Sequence, residues 1–234
     1  MDDAPASEGR LVTSESRSIF LATPCYAGLA HTLFMRSLLA LRPACAERRV
    51  GLSVELGGGE ALIGRARAAM LAKFLAGQAT HLLFVDADIG FAPDAVFRLL
   101  DSGRDVIGGA YPKKAQVLGA PLAYEFEPLP GAQPTPEGQA QVASAGAGFL
   151  MISRPAALRM ADGHPALRAR LGDMHELGVA EAAMVFDSFT DPATGRYLSD
   201  HQAFCHRWRA LGGEVWLEPA PGLSHVGALV HAGA

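Results

Sequence analysis

Short apolar runs and longer amphipathic stretches alternate through the first half of the sequence. "SIFLA" (18–22), "VGLSVEL" (50–56), "HLLFV" (81–85) and "DVIGG" (105–109) read as buried strands. Between them an apolar-periodic helix is expected from Leu29 to about Leu41. A second spans 60–76, with Ile63, Met70, Phe74 and Leu75 along one stripe. A third opens at Pro93, a favoured first-turn position, and ends near Ser102 and Gly103. "TPCYAG" (23–28) and "GGG" (57–59) read as turns. Strands that are apolar throughout and alternate with helices predict a mostly parallel sheet covered on both faces. The expected class is α/β, a three-layer α/β/α Rossmann-like arrangement. Ligands of such sheets collect beyond the carboxyl ends of the strands.

The second half is less regular. "YPKKAQVLGAPLAYEFEPLPGAQPTPEGQAQVASAG" (111–146) is rich in Pro and Gly and reads as a hairpin excursion or a mobile loop, with strand candidates at 122–127 and 140–144. "FLMIS" (149–153) returns to the core, and Pro155 starts a helix. Residues 163–182 carry no clear pattern. "AMVFD" (183–187) reads as a strand, "TDPATGRY" (190–197) as a turn, 200–211 as a helix and "EVWLEP" (214–219) as a last strand. Phe204, Trp208 and Leu211 share one helical face and read as core. The expected organisation is a disordered tail (1–15) and a single domain (16–234), whose halves meet at 111/112.

Composition narrows the class. Half of the 234 residues are hydrophobic and 19% are charged, the profile of a globular protein with a sizeable core. A net charge of −4 gives no basic face for a nucleic-acid partner. Cys25, Cys45 and Cys205 are odd in number and widely spaced, which suits a reducing cytoplasm better than a disulfide framework. "MDDAPASEGR" lacks the apolar core of a signal peptide, and no run approaches the about 20 residues of a membrane span. Docking on a membrane surface stays open.

The chemistry concentrates in "HLLFVDADIGFAPD" (81–94), where a buried strand runs into two aspartates. Asp86 and Asp88 project to one side if the strand continues through them, and like charges that close repel. A divalent cation with hard oxygen ligands, Mg²⁺ or Mn²⁺, would resolve the repulsion. The alternatives are a helix cap from Asp88 or a turn hydrogen bond from Asp86.

The run "THLLFVDADIGFAPDAVFRLLDSGRDVIGGAYPKK" resembles the core of GT-A-fold nucleotide-sugar glycosyltransferases (family 2-like), whose D-x-D follows a buried strand. "SIFLATPCY", "ALIGRARAAMLAKFL", "GAGFLMIS" and "YLSDHQAFCHRWRALGGEVWLEPAPGLSHVG" resemble further segments of that family in the same order, covering about residues 17 to 227. The resemblance implies a GT-A fold and transfer of a sugar from a nucleoside-diphosphate donor, a UDP-sugar by analogy. Thr23, Pro24 and Tyr26 would frame the base. Asp86 would touch ribose or metal, Asp88 would ligate the metal, and His225 would be a late metal or diphosphate ligand. The family's E-D pair corresponds here to Asp200 and His201, candidate bases in that order.

"SDHQ" (199–202) also reads as a capping box, with Ser199 as N-cap and Gln202 three residues on. Arg65 sits in the first turns of the 60–76 helix, where the dipole and its guanidinium both favour an anion. Arg67 reads as a solvated surface arginine, and Lys113 and Lys114 as a solvated loop that could meet the diphosphate on closure. The acceptor, whether glycan, lipid-linked molecule or protein, is not legible. Two other classes stay open: a non-catalytic nucleotide-sugar or glycan-binding protein, prompted by the missing E-D pair, and a nucleotidyltransferase, for which "TPCYAG" supplies only Gly28 of a phosphate loop.

Overall fold

A computed structural model of the chain describes residues 17–114, 122–172 and 177–227, and the backbone of 230–232. The expected disordered tail, and part of both the excursion (115–121) and the unclear stretch (173–176), lie outside the described residues.

In chain order the strands are β1 (Ser18–Cys25), β2 (Gly51–Gly58), β3 (His81–Val85), β4 (Ile89–Gly90), β5 (Val106–Gly109), β6 (Phe126–Pro128), β7 (Ala140–Ala145) and β8 (Phe149–Ser153). They continue as β9 (Arg168–Arg170), β10 (Glu181–Ala183), β11 (Phe189–Thr190), β12 (Tyr197–Leu198), β13 (Trp216–Glu218), β14 (Ser224–Val226) and β15 (Val230–Ala232). The helices are α1 (Thr32–Glu47), α2 (Ile63–Ala76), α3 (Pro93–Asp101), α4 (Arg154–Gly163) and α5 (Asp200–Ala210).

Among the described residues, eight strands form one sheet in the order β2-β1-β3-β8-β5-β13-β7-β6. The alternation of strand side chains divides the core into two layers. Ala22, Leu82, Phe84 and Leu150 face α2, α4 and α5, meeting Met70, Phe74, Met160, Phe204 and Trp208. Ile19, Leu21, Leu83, Val85 and Met151 face α1 and α3, meeting Phe34, Leu41, Val96 and Leu100. This is the expected three-layer α/β/α class. Phe204 and Trp208 are fully buried, and Leu211 packs against the same layer.

The sheet is mixed. β1 pairs in parallel with β2 and β3, and β13 with β5, but β8 runs antiparallel between β3 and β5. The chain reaches β8 by crossing the carboxyl end of β5. That crossing is so close that a Cβ on Gly108 would lie 2.6 Å from Cβ of Ala145. The excursion is a hairpin after all: β6 and β7 pair antiparallel and extend the main sheet.

Several boundaries differ from expectation for local reasons. β1 continues through Thr23, Pro24 and Cys25 because they pair with Leu56, Gly57 and Gly58 of β2, so both "TPC" and "GG" belong to a ladder rather than turns. The β3 ladder stops at Ala22, which leaves Pro24, without an N–H, at an unpaired edge. α1 starts at Thr32, where the His31 side chain accepts from the Leu33 N–H, and runs through Pro43 because Leu41 and Cys45, one on each side of the proline, are both buried. "AMVFD" is a strand only at its first residue. Val185 and Phe186 sit in a turn that plugs the core, Phe186 stacking on Phe204 with centroids 4.6 Å apart.

Candidate functional site

The carboxyl ends of β1, β3 and β5 form one rim, as the strand-end chemistry requires. The 86–88 loop is fixed there by its backbone. Asp86 N–H donates to Gly148 O at 2.9 Å, His31 N–H to Ala87 O at 2.8 Å, and Val226 N–H to Asp88 O at 2.9 Å. Three distant segments therefore hold three consecutive residues in place. Gly148 must be glycine: a Cβ would lie 2.9 Å from the Asp86 carboxylate and 2.8 Å from the Tyr111 hydroxyl.

The two aspartates do not share a counter-charge. Asp86 accepts from Nη2 of Arg67 at 2.7 Å. The other terminal nitrogen of Arg67, Nη1, donates to Asp200. Arg67 is 4% exposed, so it is not the solvated residue that its surroundings in sequence suggest. The reason is spacing: 67 falls on the same helical stripe as Ile63, Met70 and Phe74, which faces the sheet. Arg65 points elsewhere. It is paired with Glu60, through Nη2 to Oε1 at 2.9 Å, and lines neither of the clefts described below.

Asp88 accepts from Lys114 Nζ at 2.6 Å and lies 3.5 Å from Nε2 of His225. Burial opposes its ionisation, but hydrogen bonds from His225 and Lys114 outweigh that and hold its carboxyl down at about 2. It does not cap α3, whose N-cap is Ala92. Lys114 is thus a site residue rather than a free loop lysine. His225 is oriented by its other nitrogen: Nδ1 lies 2.8 Å from the Pro112 carbonyl, which can only accept, so Nδ1 carries a proton. Its ring also stands edge-on to Tyr111, centroids 5.3 Å apart.

This arrangement tests whether a divalent cation fits. Among the described residues no group of three His, Cys, Asp or Glu side chains forms a metal cage. Asp86 is engaged by Arg67. Asp88 Oδ1 and His225 Nε2, however, face each other across 3.5 Å, and the Nδ1 proton is already directed at Pro112, so Nε2 meets the carboxylate either with a second ring proton or with a cation between them. A protonated ring or a shared cation reconciles the two atoms. Mg²⁺ or Mn²⁺, which takes much of its shell from phosphate oxygens and water, suits such a two-ligand site.

Across the cleft, α5 presents Asp200 and His201 at its first turn. Gln202 accepts from the Ser199 N–H at 3.0 Å, so the capping box forms while Asp200 and His201 line the cleft. His201 Nδ1 is 3.6 Å from Asp200 Oδ1 and its Nε2 is 3.6 Å from Glu125 Oε1. Burial dominates and lowers the His201 pKa below 6.5, against the pull of Glu125, so the ring is neutral at pH 7.

Two clefts meet at this rim. One, of about 410 Å³, is lined by Arg67, Asp88, Lys114, Glu125, Asp200, His201 and His225 among others. The other, of about 500 Å³, is lined by Pro24, Tyr26, Leu29, Ala30, His31 and Ala87. Ile63, Asp86 and Asp88 line both. Of the residues singled out in the sequence, Pro24, Tyr26, Asp86, Asp88, Asp200, His201 and His225 gather here. Thr23 does not: it is fully buried, and its Oγ1 has no hydrogen-bond partner among the described residues. Lys114, expected as a solvated loop residue that could meet the diphosphate on closure, lines the same cleft. Arg67, Glu125, Tyr111 and His31 join them without having been sequence candidates for these places, and of these four Arg67 had a legible signal, its position on the apolar stripe.

No family model matches the sequence, and no curated protein does. Solved structures share its shape loosely. A197 from STIV is 15% identical with a TM-score of 0.49, over 90% of this chain and 86% of that one. GalNAc-T7 with UDP, GalNAc and Mn²⁺ is 10% identical with a TM-score of 0.47; 92% of this chain spans only 44% of its length. The nucleoside-diphosphate-sugar pyrophosphorylase from Vibrio cholerae RC9 is 10% identical with a TM-score of 0.44, over 86% of this chain and 91% of that one. At TM-scores below 0.5 such likenesses carry neither a substrate nor a reaction to this chain.

Proposed function

We propose that the protein is a glycosyltransferase that moves a sugar from a nucleoside-diphosphate donor, by analogy a UDP-sugar, to an acceptor hydroxyl. One observation carries this reading. Asp88, paired with Lys114 and His225, lines a single cleft together with Asp200 and His201. The first group suits a diphosphate, the second a hydroxyl that must lose its proton.

Lys114 would contact the diphosphate, while Asp88 and His225 would hold the divalent cation. That cation, when bound, would supply positive charge against the departing diphosphate. The nucleoside would lie in the adjoining cleft beside Pro24, Tyr26 and Leu29. The acceptor oxygen attacks the anomeric carbon as the bond to the phosphate oxygen breaks, and the hydroxyl proton passes to His201 or Asp200. Asp200 already accepts from Arg67, which makes it a weaker base, whereas His201 is neutral and able to take a proton. We therefore favour His201 as base, with Asp200 steadying the imidazolium.

The test is a panel of nucleotide sugars with Mn²⁺, read for transfer or hydrolysis. Wild type should turn over one of them. Asp88→Ala should lose nucleotide binding, and His201→Gln should bind nucleotide but turn over about 100-fold more slowly, the lower end for loss of a general base. The capture of Asp200 by Arg67 favours a second reading, a nucleotide-sugar-binding protein. Metal-dependent binding with no turnover of any donor would select it.

A further inference from the structure

We infer that His31 is a nucleoside-reading residue, donating a hydrogen bond from Nε2 to an oxygen of the donor's base or ribose. The inference rests on the transferase reading for the identity of the ligand and on three separate observations for the residue.

The first is the tautomer. As N-cap of α1, His31 accepts from the Leu33 N–H through Nδ1 at 3.1 Å. A nitrogen that accepts carries no proton, so the ring's proton is on Nε2. The second is location. The ring lines the cleft of about 500 Å³ next to Asp86 and Asp88, and Nε2 has no hydrogen-bond partner among the described residues. A fixed N–H donor without a protein partner, in a cleft otherwise lined by Pro24, Tyr26, Leu29, Ala30 and Ile63, is the kind of isolated polar group that orients a ligand in an apolar site.

The third is the condition of the cleft wall. Tyr26 and Leu29 are 73% and 72% exposed, and between them Ala27 adopts φ 54°, left-handed backbone that a non-glycine residue rarely holds. Strain and exposed apolar surface kept together at one loop are expected where a planar ligand covers them. The His31 backbone N–H, bonded to the Ala87 carbonyl, fixes the ring relative to the acidic loop.

The experiment separates capping from reading. His31→Ser keeps a side-chain acceptor at the N-cap but cannot reach the cleft; His31→Ala loses both. Melting temperature and the affinities for UDP and for inorganic pyrophosphate, both with Mn²⁺, are measured on wild type, each His31 variant and Asp88→Ala. His31→Ser should melt with wild type, weaken UDP by about 3- to 10-fold, the usual net worth of one hydrogen bond, and leave pyrophosphate unchanged. Equal losses for both ligands, or no loss for UDP, would overturn the inference while leaving the transferase reading intact. Wild type that binds neither ligand would bring down both. Asp88→Ala serves as the internal reference, since it should lose both ligands whatever His31 does.

Discussion

Arg67 and Asp200, 133 residues apart in sequence, form an ion pair inside the cleft, and the same guanidinium holds Asp86. One arginine thus links the end of β3 to the start of α5. Removing it leaves two carboxylates facing each other with no cation between them. Arg67→Ala should destabilise the fold by about 2–4 kcal/mol, below the full cost for a buried pair because Asp86 is partly exposed. Arg67→Lys should restore less than half, since one ammonium cannot serve two carboxylates as a planar fork does. Urea denaturation of the three proteins checks this; an Arg67→Lys as stable as wild type would mean that charge alone is what matters.

His201 gives an acid-side signature. Burial lowers its pKa in the fold, so the unfolded chain binds the proton first as pH falls below 6.5. Its contribution is a penalty that appears below 6.5 and grows until the folded pKa is reached, so stability should drop from pH 7 to pH 5. His81, also lowered mainly by burial, adds to the drop. His201→Gln should show a shallower decline in the urea midpoint over that range, and an unchanged slope would show that the ring is solvated.

Cys205 acts at the other end of the scale. Burial pushes its thiol up to about 12, against 9.0 for an ordinary thiol. Above pH 9 the unfolded chain releases this proton while the folded chain keeps it, so stability falls as pH rises toward 12. Cys205→Ala should lower stability at neutral pH, yet flatten the loss between pH 9 and 11. Parallel curves for the two proteins would refute the assignment.

Phe186 tests the role of an irregular segment. It is fully buried, stacks on Phe204 and meets Phe84 edge-on at 5.3 Å, although it lies in a turn. Phe186→Ala should cost about 3–5 kcal/mol, the range for deleting a core aromatic. A loss below 1 kcal/mol would mean that the turn collapses into the space.

The same residue explains part of what was legible in the sequence. The strands and helices of the first half could be read because each apolar run is local, but β2, expected to be buried, is the edge strand of the sheet, with Val54 and Leu56 42% and 46% exposed. "AMVFD" has the apolar content of a strand but is buried as a plug from a turn, and nothing local distinguishes the two. The antiparallel β8 was equally hidden, since "FLMIS" looks the same in either direction. In the cleft, strand-end aspartates and a late histidine were visible as types. The charge of Arg67 suggests solvent while its helical position places it in the core, and the tautomer of His31 depends on a backbone N–H two residues on. Lys114 lies beside Asp88 only through folding over 26 residues.

The insertion of β8 between β3 and β5 has an evolutionary and practical meaning. A fragment ending at residue 111 would keep both of those neighbours but lack what joins them, leaving a slot about 9–10 Å wide through the middle of its sheet. Such a piece should not be an autonomous module that could be inherited, expressed or swapped by itself. Fission of the gene at that point would part β8 from both of its sheet neighbours, so the two polypeptides would have to reassemble for the central sheet to close.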